Sequence, residues 1–345
     1  MKRYFLFLLF VLPVLILNAQ SQHEKEPFLT KPLTNETIKN VEAQTSGGSI
    51  SVAGVSSNAR IEVYISPNNS RDDLSKDEIQ KRLDEKYDLN VSVVNNKLVA
   101  IAKPKEKMHD WKKALSISFK IFVPQNVSTD LTTSGGSISL NNVSGNHDFT
   151  TSGGSLNVDG VSGKVNGRTS GGSINLRNSK DDIELTTSGG SINARNSEGN
   201  LKLVTSGGSL LLDDLKGNIK ATTSGGSVSG KNIEGELSAF TSGGSIHFSD
   251  LACSLETGTS GGNVDVAFTA LGKYVKISNS AGSIDVELPK GKGLDLDLSA
   301  MKIKTDHLEN FNGKIDDEQI NGKLNGGGIP VSIKAGSGRI YLALK

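Results

Sequence analysis

Cysteine, aromatic residues and proline are all scarce in this chain. It has 345 residues with one cysteine, one tryptophan and eight prolines, and its aromatic fraction is 5%. A single cysteine cannot form an internal disulfide, so stability must come from packing and hydrogen bonds. The hydrophobic fraction of 35% is low for a globular domain of this length. Because each unit of an elongated repeat protein buries only a narrow apolar strip, this composition favours a repeat fold over a compact two-layer domain.

The chain also lacks an excess of charge of either sign. Its formal net charge is +1, and residues 1–20 carry Lys2 and Arg3 but no acidic residue, so their removal gives +1 − 2 = −1. A nearly neutral chain provides no electrostatic argument for nucleic acid or an anionic membrane as its partner.

Only one long apolar run is present, in MKRYFLFLLFVLPVLILNAQ at the start of the chain. Two basic residues, an apolar stretch from Tyr4 to Leu17 and a small, polar end predict a secretory signal peptide that is cut near Ala19 or Gln20. An N-terminal anchor helix is the alternative, although the run is short for a full membrane span. We therefore predict an exported protein of the periplasm, the cell surface or the medium, not an integral membrane protein.

The most prominent feature is an 18-residue repeat that opens with TSGGS. The motif begins at Thr133, Thr151, Thr169, Thr187, Thr205, Thr223 and Thr241. We number the positions of each repeat from 0 at the first serine of the motif. Positions 4, 6, 13 and 15 are mostly apolar and alternate with polar residues, so each repeat predicts two short strands with one buried face. Variant motifs at Thr259 and Asn279 extend the series.

Glycines occur at two places in most of the repeats. The Gly-Gly pair of the motif and a glycine at position 11 predict two turns, because glycine tolerates a left-handed backbone. Cys253 occupies position 11 of its repeat, which predicts a drifted turn position and not a reactive thiol. Two strands and two turns make one coil, and stacked coils pair strands in parallel about 4.8 Å apart. The predicted fold class is all-β, a parallel β-solenoid (β-helix) with 18-residue coils; separate hairpins are the alternative.

The segments before and after the regular repeats differ from them in sequence. The predicted boundaries are 1–20 (signal peptide), 21–40 (linker or leading edge), 41–130 (small αβ N-terminal cap), 131–288 (regular repeats) and 289–345 (irregular C-terminal coils and a closing strand). Within the cap, several alternating stretches predict strands, and one helix is predicted at about 75–87. Ser75 and Glu78 form a capping-box pattern at its start. Such a cap is expected, because an uncovered terminal coil exposes strand edges.

The pattern of strand, Ser-Gly-Gly-Ser, strand, repeated after a signal peptide, resembles the bacterial DUF4097 family of adhesin-like proteins and is similar to the related DUF2807 head-domain family. The resemblance covers roughly residues 130–345 and, more weakly, 41–130. It implies an exported β-solenoid with an adhesin role. It provides no catalytic residues to transfer to this chain.

Sequence patterns of catalysis and of metal binding are absent from the chain. Its five histidines are scattered, with no HExxH spacing, and the Gly-Gly-Ser segments are followed by strands, not by the helix of a phosphate-binding loop. We therefore predict no enzyme, no cofactor and no metal site. A polysaccharide lyase or hydrolase on a β-helix, with a site in the C-terminal region, is the alternative and would need clustered acidic residues on one outer face. Ice binding would need an unbroken outward array of threonines, and position 16 does not provide one.

A ladder of polar side chains on an outer face is the predicted binding surface. Its members are Asn157, Asn175, Arg177, Asn193, Arg195, Asp213 and Lys231. Such a ladder suits ligands that repeat along a line, glycans above all, or other envelope components; it would also serve solubility alone. We predict a cell-envelope or surface protein with an adhesin, other binding or structural role, and the sequence leaves its oligomeric state open.

Overall fold

The computed structural model describes residues 26–68, 74–106 and 114–345, so the predicted signal peptide lies outside it. These residues are nearly all β, with 65% strand and one helix, and coils of about 18 residues stack in parallel into a β-solenoid of about nine turns. The predicted fold class is therefore confirmed. No helix in this part of the chain is long and apolar enough to cross a membrane.

Seven strands and the helix form the N-terminal end of the stack. They are β1 (Leu29–Pro32), β2 (Asn40–Gln44), β3 (Ile50–Gly54), β4 (Arg60–Pro67), α1 (Lys76–Lys86), β5 (Tyr87–Val94), β6 (Lys97–Pro104) and β7 (Leu115–Val123). β2 and β3 flank an early copy of the motif and pair in parallel with β6 and β7. β4 and β5 then pair antiparallel with β7 and β6, and β1 pairs with β4. Residues 29–32, predicted to belong to a linker or leading edge, thus form an edge strand.

The helix α1 begins as its capping pattern indicates. The Ser75 hydroxyl accepts the N–H of Glu78 at 3.2 Å, whereas the Glu78 carboxylate pairs with Arg82 at 2.8 Å and does not return to the cap. Ile79 and Leu83 are buried, so the i, i+4 apolar spacing places one helix face on the core.

Thirteen strands build the regular stack. They are β8 (Ser128–Thr133), β9 (Ile138–Asn141), β10 (Ser144–Thr151), β11 (Leu156–Asp159), β12 (Ser162–Thr169), β13 (Ile174–Arg177), β14 (Lys180–Thr187), β15 (Ile192–Thr205), β16 (Leu210–Thr222), β17 (Val228–Phe240), β18 (Ile246–Thr259), β19 (Val264–Asn279) and β20 (Ile284–Leu288). Each pairs in parallel with the equivalent strand one coil away, as in Ile174 opposite Ile192. The register is continuous except between β18 and β19, where it shifts between Phe248 and Leu255. β8 and β9 stack in the same way on β2 and β3, so the coil series continues across the insertion that carries β4–β7.

The core is a set of apolar columns that run along the stack. In the coil of β13 and β14, Ile174, Leu176, Ile183 and Leu185 are each at most 2% exposed. The motif threonine at position 17 also points inward; Thr187, for example, is 1% exposed. Period-two alternation therefore predicted the buried positions correctly.

Of the two turns predicted from glycine, the one at position 11 has the expected left-handed backbone, and the one at the Gly-Gly pair does not. The Gly-Gly pairs of the seven regular motifs do not have positive φ; instead, a Cβ added to the second glycine, such as Gly172, would lie 1.9 Å from the carbonyl oxygen of Gly154 one coil away. Glycine is thus required there by the close approach of two backbones. The left-handed residues lie at position 11, as predicted for glycine, and also at position 8, where Asn178 has φ 49° and Asn196 has φ 48°.

At the C-terminal end, the strands do not stack in the order in which they occur along the chain. Its strands are β21 (Leu294–Ser299), β22 (Lys302–Thr305), β23 (Phe311–Ile315), β24 (Gln319–Leu324), β25 (Ile329–Ala335) and β26 (Arg339–Leu344). β25 and β26 pair in parallel with β19 and β20 on one side and with β21 and β22 on the other. The segment predicted as a closing strand therefore lies inside the stack, and β21–β24 form the layers beyond it.

Candidate binding face

The structure brings the seven predicted residues onto one outward face. They occupy positions 5 and 7 of the first strand of five successive coils, in β11, β13, β15, β16 and β17. Parallel register places Asn157, Asn175 and Asn193 in one column. Arg177, Arg195, Asp213 and Lys231 form the neighbouring column. We call these seven residues the polar ladder.

The asparagine amides of the polar ladder are linked to one another. The Asn175 amide donates from Nδ2 to Asn157 Oδ1 at 3.0 Å, and Asn193 donates to Asn175 Oδ1 at 3.2 Å. Each amide has two donor hydrogens and two acceptor lone pairs, so a linked amide keeps one donor and one acceptor for a ligand. The column thereby offers the same polar pair in three successive coils and ends at Leu211.

The charged column is only partly paired. Arg195 Nε lies 3.4 Å from Asp213 Oδ2 in the next coil. Asp159, which is opposite Arg177 in register, instead accepts a hydrogen bond from Asn178 Nδ2 at 2.8 Å. Among the described residues, the guanidinium of Arg177 has no hydrogen-bond or ion-pair partner. The same holds for the exposed side chain of Lys231, so the polar ladder contains two exposed cations available to a ligand.

A polar groove of about 350 Å³ adjoins the polar ladder at the corner between the two strands of each coil. Its lining residues are Asn178, Ser179, Lys180, Asn196, Ser197, Glu198, Asp214 and Lys216. We call it the corner groove. Asn178 follows Arg177 directly in the chain, so the groove and the ladder form one surface.

The floor of the corner groove has a simple sequence origin. Position 9 is apolar and buried in the coils on either side, at Val161 and Leu215, but is Ser179 and Ser197 here. Each serine hydroxyl donates to the carbonyl two residues earlier, at 2.6 Å and 2.9 Å respectively. Small side chains that bond back to their own backbone leave room above them. The break in the apolar column at position 9 was the signal that could have identified this groove.

Two other titratable groups of the repeats, His147 and Cys253, are buried and lie outside the candidate binding face. Burial lowers the pKa of His147 to about 4, and Thr129 Oγ1 lies 3.0 Å from its Nδ1. Burial raises the pKa of the Cys253 thiol to about 12, consistent with a thiol of low reactivity. Within the described residues, no group of three or more His, Cys, Asp or Glu side chains could hold a metal ion.

Comparisons with known proteins give little further information. No family model and no curated protein matches the sequence, so the resemblance to DUF4097 and DUF2807 stays a prediction. Matches among solved structures include a "putative cell adhesion protein" from Clostridium sporogenes ATCC 15579, with 13% identity, 92% of this chain and 98% of that chain covered, and a TM-score of 0.19. A "putative adhesin" from Bacteroides fragilis NCTC 9343 has 14% identity, 92% and 96% coverage, and a TM-score of 0.30. Sequence identities and TM-scores this low say nothing about the ligand of this chain.

Proposed function

We propose that this protein is an exported β-solenoid of the bacterial cell envelope that binds extended glycans, with an adhesin or structural role. The polar ladder and the corner groove are the proposed binding surface. The observation that carries the proposal is the juxtaposition of the two: a periodic column of amides lies beside a polar concavity. Export rests on the signal-peptide pattern of residues 1–20.

Periodicity is the physical reason to favour a polymer as the ligand. Successive coils repeat about every 4.8 Å, so equivalent amides of the polar ladder recur along a straight line. A polysaccharide chain also repeats along a line and presents hydroxyl groups that donate and accept hydrogen bonds. Several weak contacts on one polymer add through effective concentration, so modest single contacts give useful affinity.

The direct test is binding of the full-length mature chain to a panel of immobilised polysaccharides, followed by titration calorimetry on those that bind. Substitution of Asn175 by Leu removes the central amide of the column and should weaken binding. The matched control is Asn218→Leu, an exposed asparagine at position 12 of the other strand face, which should leave binding unchanged. Circular dichroism of both variants checks that the coil is retained.

Two results would contradict this proposal. One is failure of every polysaccharide on the panel to bind. The other is an equal loss of affinity in both variants, which would indicate that the face is not specific. Release of shortened products from any bound polysaccharide would instead favour the alternative, a lyase or hydrolase.

Location can be tested separately with intact cells. Protease added to cells that produce the protein should cleave the repeats only if they lie outside the cell, with lysed cells as the control. Protection until lysis would exclude an adhesin and place the binding partner within the envelope.

A further inference from the structure

We infer that the corner groove accepts an acidic sugar unit, one that carries a carboxylate or sulfate group, of the glycan that binds along the polar ladder. This inference rests on the proposed function and adds the chemical class of the ligand. It follows from which charges around the groove are already satisfied and which are not.

The carboxylates around the corner groove are almost all engaged by the protein. Asparagine amides donate to Asp159 at 2.8 Å, to Asp182 at 2.7 Å and to Asp214 at 2.8 Å. The backbone N–H of Gly163 donates to Asp181 at 2.9 Å. With Asp213 held by Arg195, each of these five carboxylates already has a local hydrogen-bond or ion-pair partner.

Two cationic side chains beside the groove, both in the coil of β13 and β14, have no such partners. The side chains of Arg177 and Lys180 are exposed, and within the described residues neither has a hydrogen-bond or ion-pair partner. They belong to the same coil, at positions 7 and 10, and stand on the two sides of Asn178 and Ser179. A guanidinium can hold a carboxylate or sulfate through two parallel hydrogen bonds. An ammonium beside it adds a second charge-assisted contact.

The remaining lining supplies contacts of the kind that a sugar ring uses. Asn178 and Asn196 hold left-handed backbone conformations that turn the chain at the groove, and their amides have unused hydrogen-bonding capacity. Lys216 is paired with Glu234 at 3.3 Å, so it adds little free charge. Glu198 is the one lining carboxylate without a partner among the described residues, and it is the group expected to oppose an anion.

The test compares polymers that share a backbone and differ in whether its acidic groups are charged. Polygalacturonate should bind the mature protein, and its fully methyl-esterified form, which has the same backbone without the charge, should bind at least about tenfold more weakly. Dextran sulfate against dextran distinguishes a sulfate from a carboxylate. Binding of the acidic polymer should fall as NaCl rises, because exposed charges are screened.

Two matched double variants locate the site. Arg177→Gln with Lys180→Gln should lower affinity for the acidic polymer by about tenfold or more. Lys164→Gln with Arg168→Gln makes the same change in net charge on the other strand face and should change affinity less than about twofold. A third variant, Glu198→Gln, should raise affinity.

Each outcome separates this inference from the proposed function. Equal binding of acidic and esterified polymers, or an equal effect of the two double variants, would overturn the acidic-sugar inference and leave glycan binding intact. Absence of binding to charged and neutral polymers alike would overturn both.

Discussion

Thr187 and Gly172 lie in successive coils and are joined by a hydrogen bond of 2.8 Å from the threonine hydroxyl to the glycine carbonyl. The same Oγ1 accepts the N–H of Gly190 at 3.3 Å. The equivalent pair of bonds recurs at Thr151, Thr169, Thr205, Thr223 and Thr241. A column of buried hydroxyls therefore fastens each motif turn to the coil before it.

Removal of one such hydroxyl should destabilise the solenoid. In Thr187→Val the buried carbonyl of Gly172 and the N–H of Gly190 lose their partner, which costs about 1–3 kcal/mol of unfolding free energy. Thr187→Ser should recover most of this loss. The control is Thr186→Val on the outward side, where the next coil naturally has Val204. Urea denaturation measures all three, and equal stability of Thr187→Val and the control would contradict the role of the hydroxyl.

The two glycines of one motif should respond in opposite ways to alanine. A Cβ at Gly190 would lie 2.1 Å from the carbonyl oxygen of Gly172, whereas at Gly189 its nearest neighbour is 3.5 Å away. Gly190→Ala should therefore cost at least about 1–3 kcal/mol by overpacking. Gly189→Ala should be neutral or slightly stabilising, since it restricts the unfolded chain, and Ala281 occupies this position in a later coil. Similar melting temperatures for both variants would show that the coils can separate at the turn.

The regular coils could be predicted from the sequence because their signal is local and repeated. Alternation predicts that Ile174 and Leu176 point inward whatever lies above or below them. The hydrogen-bond partner of Thr187 could not be read in this way. The hydroxyl reaches a glycine carbonyl 15 residues earlier in the chain, and alternation does not identify that partner.

The ends of the stack were less predictable for a topological reason. β25 alternates like any other strand, and nothing in its residues shows that it pairs with β19 and β21 at once. Strand alternation specifies which side is buried but not which neighbour is chosen. For the candidate site, outward orientation of the polar ladder followed from the period, but the corner groove depended on the size of Ser179 and Ser197.

His147 should make the first regular coil sensitive to acid. Its pKa is lowered by burial from 6.5 to about 4, so as the pH falls the unfolded state binds the proton first. Stability should be complete above about pH 6.5 and should fall by up to about 3 kcal/mol as the pH drops to about 4. His147→Val, which copies Val165 of the next coil, should remove this part of the pH dependence in denaturation curves recorded from pH 7 to 4.

A substitution of Thr129, the hydrogen-bond neighbour of His147, tests whether burial is the cause of the lowered pKa. Because burial and not the hydrogen bond lowers the pKa of His147, Thr129→Val should retain the loss of stability between pH 6.5 and 4. If His147→Val and the parent chain lose stability in parallel over this range, the acid sensitivity arises elsewhere.

Asp285 should be a site where a charge destabilises the solenoid at neutral pH. Burial raises the pKa of Asp285, and Asp265, its neighbour in register one coil away, raises it further. A carboxyl with a raised folded-state pKa loses its proton less readily than in the unfolded chain, so its penalty is present at neutral pH and disappears in acid. Asp285→Asn should raise the unfolding free energy at pH 7 by less than about 1 kcal/mol, the range for like charges on opposite strands, and should have no effect at pH 3.

Asp213→Asn is the matched control of opposite sign, because Asp213 faces Arg195 at 3.4 Å and its loss should destabilise the protein at pH 7. Melting temperatures of both variants at the two pH values measure this contrast, and a decrease for Asp285→Asn at pH 7 would contradict it.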